Sequence, residues 1–433
     1  MVDRVPARRA VVLGGGGSKG AYQIGVWQAL RELNLDYQVV TGTSVGALNG
    51  ALMAQGEFDA AWNLWWNMDN SQVMEGIPPA QNTLDSRLSV YRAFAREMMT
   101  KGGLDISPLE ETIRSILDEE KLRRSGIEYG IVTVDMERLS PVRMFLRDMP
   151  PGSVADYMIA SASCFPAFKP RTIEKARFID GGYYDNLPVE MATQAGVELT
   201  EIWAVDVDGV GIRRPFRPRV PLRLVRSVWD LGSFLIFEKE QCRRNIRLGY
   251  WDAMKVAGRC DGRAYAFPPG EEERFRLRYG ERFDSLAGKL LEPLESSSRS
   301  ALDLVIKARV RQKLGQKKQK SGLLLAAAET AGELLGLDPT RQYTMEEFTA
   351  ALGDCLQVEK NRRGEREITL DSLPGEEAGT IETLKTLGKE LALLTVMENL
   401  AQLLEGGDPL LKPELLALAL PRELMASLYL LVL

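Results

Sequence analysis

Ser44 lies in Gly42-Thr43-Ser44-Val45-Gly46, within a chain of 433 residues that contains no histidine. A G-x-S-x-G segment presents a serine hydroxyl on a tight strand-to-helix turn, where it can act as a nucleophile if a neighbouring base takes its proton. The usual base is a histidine held by a carboxylate, and that triad cannot be assembled here. A carboxylate can itself serve as general base when geometry delivers it to the hydroxyl. The candidate is Asp180, in Asp180-Gly181-Gly182, where glycine lets the chain turn sharply and leave the carboxylate off the end of a strand. Taken alone, that tripeptide reads as an ordinary turn.

The segment Gly14-Gly15-Gly16-Gly17-Ser18-Lys19-Gly20 is the second feature able to do chemistry. As a phosphate loop it fails, because a Walker loop needs lysine followed by serine or threonine, whereas here Lys19 precedes Gly20. Gly15-x-Gly17-x-x-Gly20 fits a dinucleotide fingerprint, with Asp36 near the place of a ribose-binding acid. Alternatively, consecutive glycines free backbone N–H groups to point at a reacting carbonyl oxygen, with Lys19 adding positive charge. The residues alone leave both open. The helix opening at Val45 would put its N-terminal dipole beside the Ser44 hydroxyl.

In this order the three segments resemble the patatin-like phospholipase family, bacterial type, over the N-terminal half of the chain. Gly15-Gly16-Gly17-Ser18-Lys19-Gly20 is similar to its oxyanion loop, Gly42 to Gly46 to its elbow, and Asp180-Gly181-Gly182 to the segment carrying its aspartate. Gly103 to Leu109, Ala160 to Pro166 and Asn186-Leu187-Pro188 are further similarities, and none of the three motifs departs from the family pattern. The resemblance covers roughly Arg8 to Asp208. It implies a three-layer α/β/α fold and a Ser–Asp dyad in which Ser44 attacks a fatty-acyl ester and Asp180 takes its proton. It further implies oxyanion donors among Gly15, Gly16, Gly17, Lys19 and Val45, no metal and no cofactor. The missing histidine is then expected. The implied activity is that of a serine lipid acyl hydrolase, of phospholipase A or lysophospholipase type.

The elements must hold those segments together. Ala10 to Leu13, Tyr37 to Val40, Tyr129 to Val134, Val142 to Leu146, Ala176 to Ile179 and Ile202 to Val205 read as strands from their short apolar runs. Ala21 to Leu33, Val45 to Gln55, Leu109 to Leu117, Val154 to Ala162 and Val189 to Gln194 read as helices. That alternation predicts an α/β class with a mostly parallel sheet. Length predicts more than one domain. Residues 1–310 are assigned to the acyl hydrolase, with a helix at Ser285 to Val310, 311–320 to a basic linker or helix end, and 321–433 to a leucine-rich helical domain. Within the last, Thr344 and Glu347 are spaced as a capping box.

A net charge of -5 argues against general nucleic-acid binding. No signal-peptide core is visible near Met1, and no apolar run is long enough to span a bilayer, so a cytoplasmic protein is expected, with peripheral membrane contact. The four cysteines have no metal-binding spacing. Arg213 to Arg226 holds six arginines and no acid, and reads either as a surface for anionic headgroups or as a solvated loop. Trp62, Trp65 and Trp66 fit core packing better than an acyl pocket, and the apolar tail Leu415 to Leu433 fits a core. The lipid, phospholipid or lysophospholipid, is the expected partner. A non-catalytic or partner-activated lipid-binding scaffold is the alternative. An NAD-linked reading leaves the elbow unexplained, and an acyltransferase that pairs its elbow serine with histidine is excluded by composition.

Overall fold

The computed structural model describes residues 7–81, 83–101, 103–291, 322–365, 373 and 377–433. They form two compact units, Met1–Ala257 and Gly258–Leu433. In chain order the first unit runs β1 (Arg9–Leu13), α1 (Ala21–Glu32), β2 (Val39–Thr43), α2 (Val45–Gln55), α3 (Phe58–Trp66), α4 (Leu84–Lys101), α5 (Ser107–Ile116) and α6 (Glu119–Arg124). It continues through β3 (Glu128–Asp135), β4 (Ser140–Phe145), α7 (Val154–Ser161), β5 (Arg171–Ile173), β6 (Ala176–Asp180), α8 (Val189–Thr193), β7 (Glu201–Asp206), β8 (Leu222–Arg226) and α9 (Lys239–Val256).

One eight-stranded sheet takes the order β5-β6-β3-β2-β1-β7-β8, with β4 pairing β3 off that path. The stretch from β3 to β8 is parallel, while β4, β5 and β6 are joined by antiparallel pairs. The central strands are apolar runs buried on both faces, as parallel strands covered by helices must be. On one face Ala10, Val12, Val39, Ile202 and Ala204 pack with Val189, Met191 and Ala192 of α8. On the other, the Tyr129 hydroxyl donates to the Ala47 carbonyl of α2 at 2.6 Å. Helices on both faces make the expected three-layer α/β/α arrangement.

The six expected strands and five expected helices are present with ends shifted by a few residues. Short β5, the arginine-bearing edge strand β8, and helices α3, α4, α6 and α9 are additional to the elements expected from the sequence. In β8, only Val225 is buried, so the strand carries no apolar run to betray it.

The second unit is helical: Glu271–Leu291, Gly322–Leu335, Met345–Glu365, Glu377–Leu387, Lys389–Leu404, Pro413–Ala419 and Pro421–Leu430. Its boundary at Gly258 precedes the expected break at 310. The reason is that 258–291 is tied to the later helices. Buried Glu329 accepts the N–H groups of Arg263, Ala264 and Tyr265 at 2.7–3.0 Å, and Phe267 packs edge-on against Phe348. The Thr344–Glu347 capping box forms in both directions. Leu416, Leu420 and Leu424 lie in a buried cluster with Val396 and Leu400, so the leucine-rich tail is core. The basic segment 311–320 and most of the helix expected at Ser285 to Val310 lie outside the described residues. Among the described residues, no helix is long and apolar enough to cross a membrane.

Candidate active site

Strand register brings the two motifs together. Thr43, the last residue of β2, pairs with Val132 of β3, and the next residue of β3, Thr133, pairs with Asp180 at the end of β6. Ser44 and Asp180 therefore leave the sheet at the same edge, one strand apart. Ser44 has φ 54° and ψ -127°, a backbone state that costs a non-glycine residue roughly 1–3 kcal/mol. The surroundings enforce it. A Cβ on Gly42 would overlap the Gly46 carbonyl, and one on Gly46 would overlap the Leu13 carbonyl, so only glycine allows the turn to close against β1.

The turn is also held from below. The Ser44 N–H donates to Ser161 Oγ at 2.9 Å, and that buried hydroxyl donates in turn to the Val132 carbonyl at 2.6 Å. Thr43 Oγ1 donates to the Asp185 carbonyl at 2.8 Å. Both the Asp180 loop and the last turn of α7 are thus tied to the elbow.

Asp180 is buried, and its carboxylate Oδ1 accepts the Gly182 N–H at 2.7 Å. Burial pushes its carboxyl up to about 6, against the lowering pull of hydrogen bonds from the Gly182 N–H and the Ser44 hydroxyl. A carboxyl of that pKa is ionised at neutral pH and still basic enough to take a proton.

The five expected oxyanion residues divide. Gly15 gives its N–H to the Asn186 carbonyl at 3.1 Å. Its role is space: a Cβ there would sit 3.1 Å from Ser44 Cβ. Lys19 gives its N–H to the Gly16 carbonyl at 3.2 Å and its Nζ to the Asp208 carbonyl at 2.9 Å, so the ammonium braces the loop against the chain after β7. Gly16, Gly17 and Val45 are different, since no hydrogen bond from their N–H groups is formed among the described residues. Gly17 has φ 55° and Val45 opens α2 directly after Ser44. Free N–H groups beside a strained serine at a helix N-terminus are what a developing oxyanion requires.

Two residues outside the expected site set complete the frame. Asn186 is buried, donates Nδ2 to the Gly15 carbonyl at 3.1 Å and accepts the Gly15 N–H, clasping the glycine loop to the Asp180 segment. Ser161 supports the elbow. Both fall in stretches singled out by the resemblance, yet nothing in their spacing reveals their partners. Trp65 donates to Asn49 Oδ1 at 2.8 Å, and Trp62 stacks on Trp66, so the tryptophans are packing elements. Of the six arginines, Arg213 and Arg226 pair with Asp206 and Asp208, Arg223 pairs with Glu201, and Arg214 stacks on Tyr184. A cavity lined by Arg8, Gln38, Arg123 and Glu128 opens at the opposite, N-terminal ends of the strands and has no part in this site.

Residues 11–193 match the family model of the patatin-like phospholipases. That match marks residues 11–193 as a patatin-like phospholipase domain. Mouse patatin-like phospholipase domain-containing protein 7 is 27% identical over 201 residues, covering 46% of this chain and 13% of that protein. Lysophospholipase nte1 of Aspergillus terreus is 28% identical over 208 residues, 47% of this chain and 12% of that one. An uncharacterised NTE family protein of Mycobacterium bovis is 28% identical over 51% of this chain and 56% of its own. The chain therefore spans only about an eighth of the length of the first two. VipD of Legionella pneumophila is a structural neighbour at TM-score 0.36 and 14% identity, covering 98% of this chain and 91% of that one. A likeness that weak carries no argument.

Proposed function

We propose that the patatin-like unit is a serine acyl hydrolase acting on fatty-acyl esters of phospholipids or lysophospholipids. The observation that carries this reading is the pairing of a strained elbow serine with a buried, basic carboxylate, beside three uncommitted N–H groups. Ser44 Oγ attacks the ester carbonyl carbon while Asp180 takes its proton. The carbonyl oxygen becomes an oxyanion held by the N–H groups of Gly16, Gly17 and Val45. As the intermediate collapses, the leaving alkoxide recovers the proton from Asp180, leaving an acyl group on Ser44. Water then attacks the acyl-enzyme, giving its proton to Asp180, and Ser44 departs reprotonated with release of the fatty acid. Each step balances without any added reactant except water.

Fatty-acid release from phosphatidylcholine vesicles and from lysophosphatidylcholine tests the reading. Wild type is expected to release acid from at least one, and Ser44→Ala from neither. Equal release by the two proteins would end it.

A further inference from the structure

Helix α4 is built the wrong way round for a solvent-facing helix. Among its described side chains, the buried ones are Val90 and Glu97. At about 100° per residue, Leu88, Ala95 and Met99 fall within about 40° of one another on the opposite side. All three are exposed, Met99 by 87%. Tyr91, also exposed, borders this stripe on one side, and exposed Arg92 and Arg96 border it on the other, with exposed Asp85 of the first turn on the same side, so that flank keeps a net positive charge. Neither arginine side chain has an ion-pair or hydrogen-bond partner among the described residues. An ordinary surface helix turns its apolar side inward and its charges outward. Here the outward pole is apolar and flanked by unpaired cations, the arrangement of a helix that lies in a membrane interface.

The stripe is joined to the chemistry. Just beyond α4, the Leu104 N–H donates to the Ala167 carbonyl at 2.8 Å. The same segment carries exposed Phe165, whose carbonyl accepts the Tyr183 hydroxyl, and Tyr183 follows Asp180 by three residues. The Ile212 N–H donates to the Gly182 carbonyl at 2.8 Å, and Val210 and Ile212 are exposed apolar residues as well. Apolar exposure thus gathers on the segments that frame the Asp180 loop.

We propose that the outward face of α4 docks on the surface of an anionic lipid bilayer, with Leu88, Tyr91 and Met99 entering the interface and Arg92 and Arg96 meeting the headgroups. The proposal rests on the acyl-hydrolase reading only for the lipid being substrate as well as surface. Charge complementarity selects this occupant: a second copy of the chain would set Arg92 and Arg96 against like charges, whereas an anionic leaflet neutralises them.

The test uses the full chain carrying Ser44→Ala, so that lipid stays intact, sedimented with vesicles of phosphatidylcholine alone or mixed with phosphatidylglycerol. The parent should partition onto mixed vesicles more strongly than onto neutral ones. Leu88→Glu with Met99→Glu should lower partitioning roughly tenfold or more, and Arg92→Glu with Arg96→Glu should lower it on mixed vesicles by about fivefold per residue. Met99→Trp, at an exposed position that cannot disturb the core, should raise it. In the Ser44 background, turnover of a short-chain ester dissolved as monomers should be unchanged by these substitutions. Partitioning unaffected by both double variants, or a parent that ignores vesicles, overturns the proposal. So does a concentration-dependent dimer that the Leu88 and Met99 substitutions abolish without altering vesicle binding. A chain that binds vesicles through α4 yet never cleaves the soluble ester would contradict the hydrolase reading and leave the docking face standing.

Discussion

Ser161 Oγ accepts the Ser44 N–H at 2.9 Å and donates its own O–H to the Val132 carbonyl at 2.6 Å. The elbow's conformation is therefore fixed by a hydroxyl on α7, 117 residues away in sequence. Ser161→Ala strips a part-buried N–H and a buried carbonyl of their partner, at a cost of about 1–3 kcal/mol. We expect kcat to fall about tenfold with KM little changed, since Ser161 is fully buried, and Ser161→Thr to restore much of the loss. A parallel fall in kcat and thermal stability with no rescue by threonine would assign Ser161 a purely structural part.

The pH profile follows from Asp180. As general base it must be ionised, and burial places its pKa at about 6. The rate should rise with pH through about 6 and level off above it. A rate that stays flat down to pH 4.5 would exclude Asp180 as the base.

The same burial makes Asp180 a stability cost. Its folded pKa of about 6 exceeds the ordinary value of 3.8, so the folded state binds the proton more tightly than the unfolded one. Stability from this group is greatest below pH 3.8 and is lost as pH rises through 6. At neutral pH the cost is on the order of 2–3 kcal/mol. Asp180→Asn should lower activity about 10²–10⁴-fold while raising the melting temperature at pH 7.5, and the rise should vanish near pH 4. Asp185, also raised to about 6 by burial, titrates in the same window, so the comparison with Asp180→Asn isolates the Asp180 carboxyl. A melting temperature lowered at neutral pH would contradict this accounting.

Gly46→Ala places a methyl on the Leu13 carbonyl oxygen, backbone that cannot move without displacing β1. A loss of about 3 kcal/mol is expected, measurable by urea unfolding. Gly56→Ala would carry only the strain of its left-handed backbone, because nothing lies within 4 Å of the added carbon. A loss at Gly46 no larger than that at Gly56 would contradict the close approach of the elbow to β1.

The sequence makes Ser44, Asp180 and the glycine loop legible because each lies at the end of a short apolar strand and carries its own glycines. Which N–H groups are free is not legible. Gly15 is engaged by Asn186 and Lys19 by Asp208, and those partners arrive through sheet topology rather than local pattern. Helix α4 is hidden for a related reason: its described apolar side chains are divided between buried Val90 and exposed Leu88, Tyr91 and Met99, so they do not make the single inward stripe that marks a surface helix. The early start of the second unit reflects Glu329 reaching back to residues 263–265, a pairing invisible to any local window.

We expect Ser44 to be a nucleophile activated by Asp180. Reaction of the intact chain with a fluorophosphonate, followed by peptide mass spectrometry, tests it most directly. The account predicts one covalent adduct, located on Ser44, absent from Ser44→Ala and formed at least 100-fold more slowly in Asp180→Asn. An adduct on a different residue, or a labelling rate indifferent to Asp180→Asn, would contradict it.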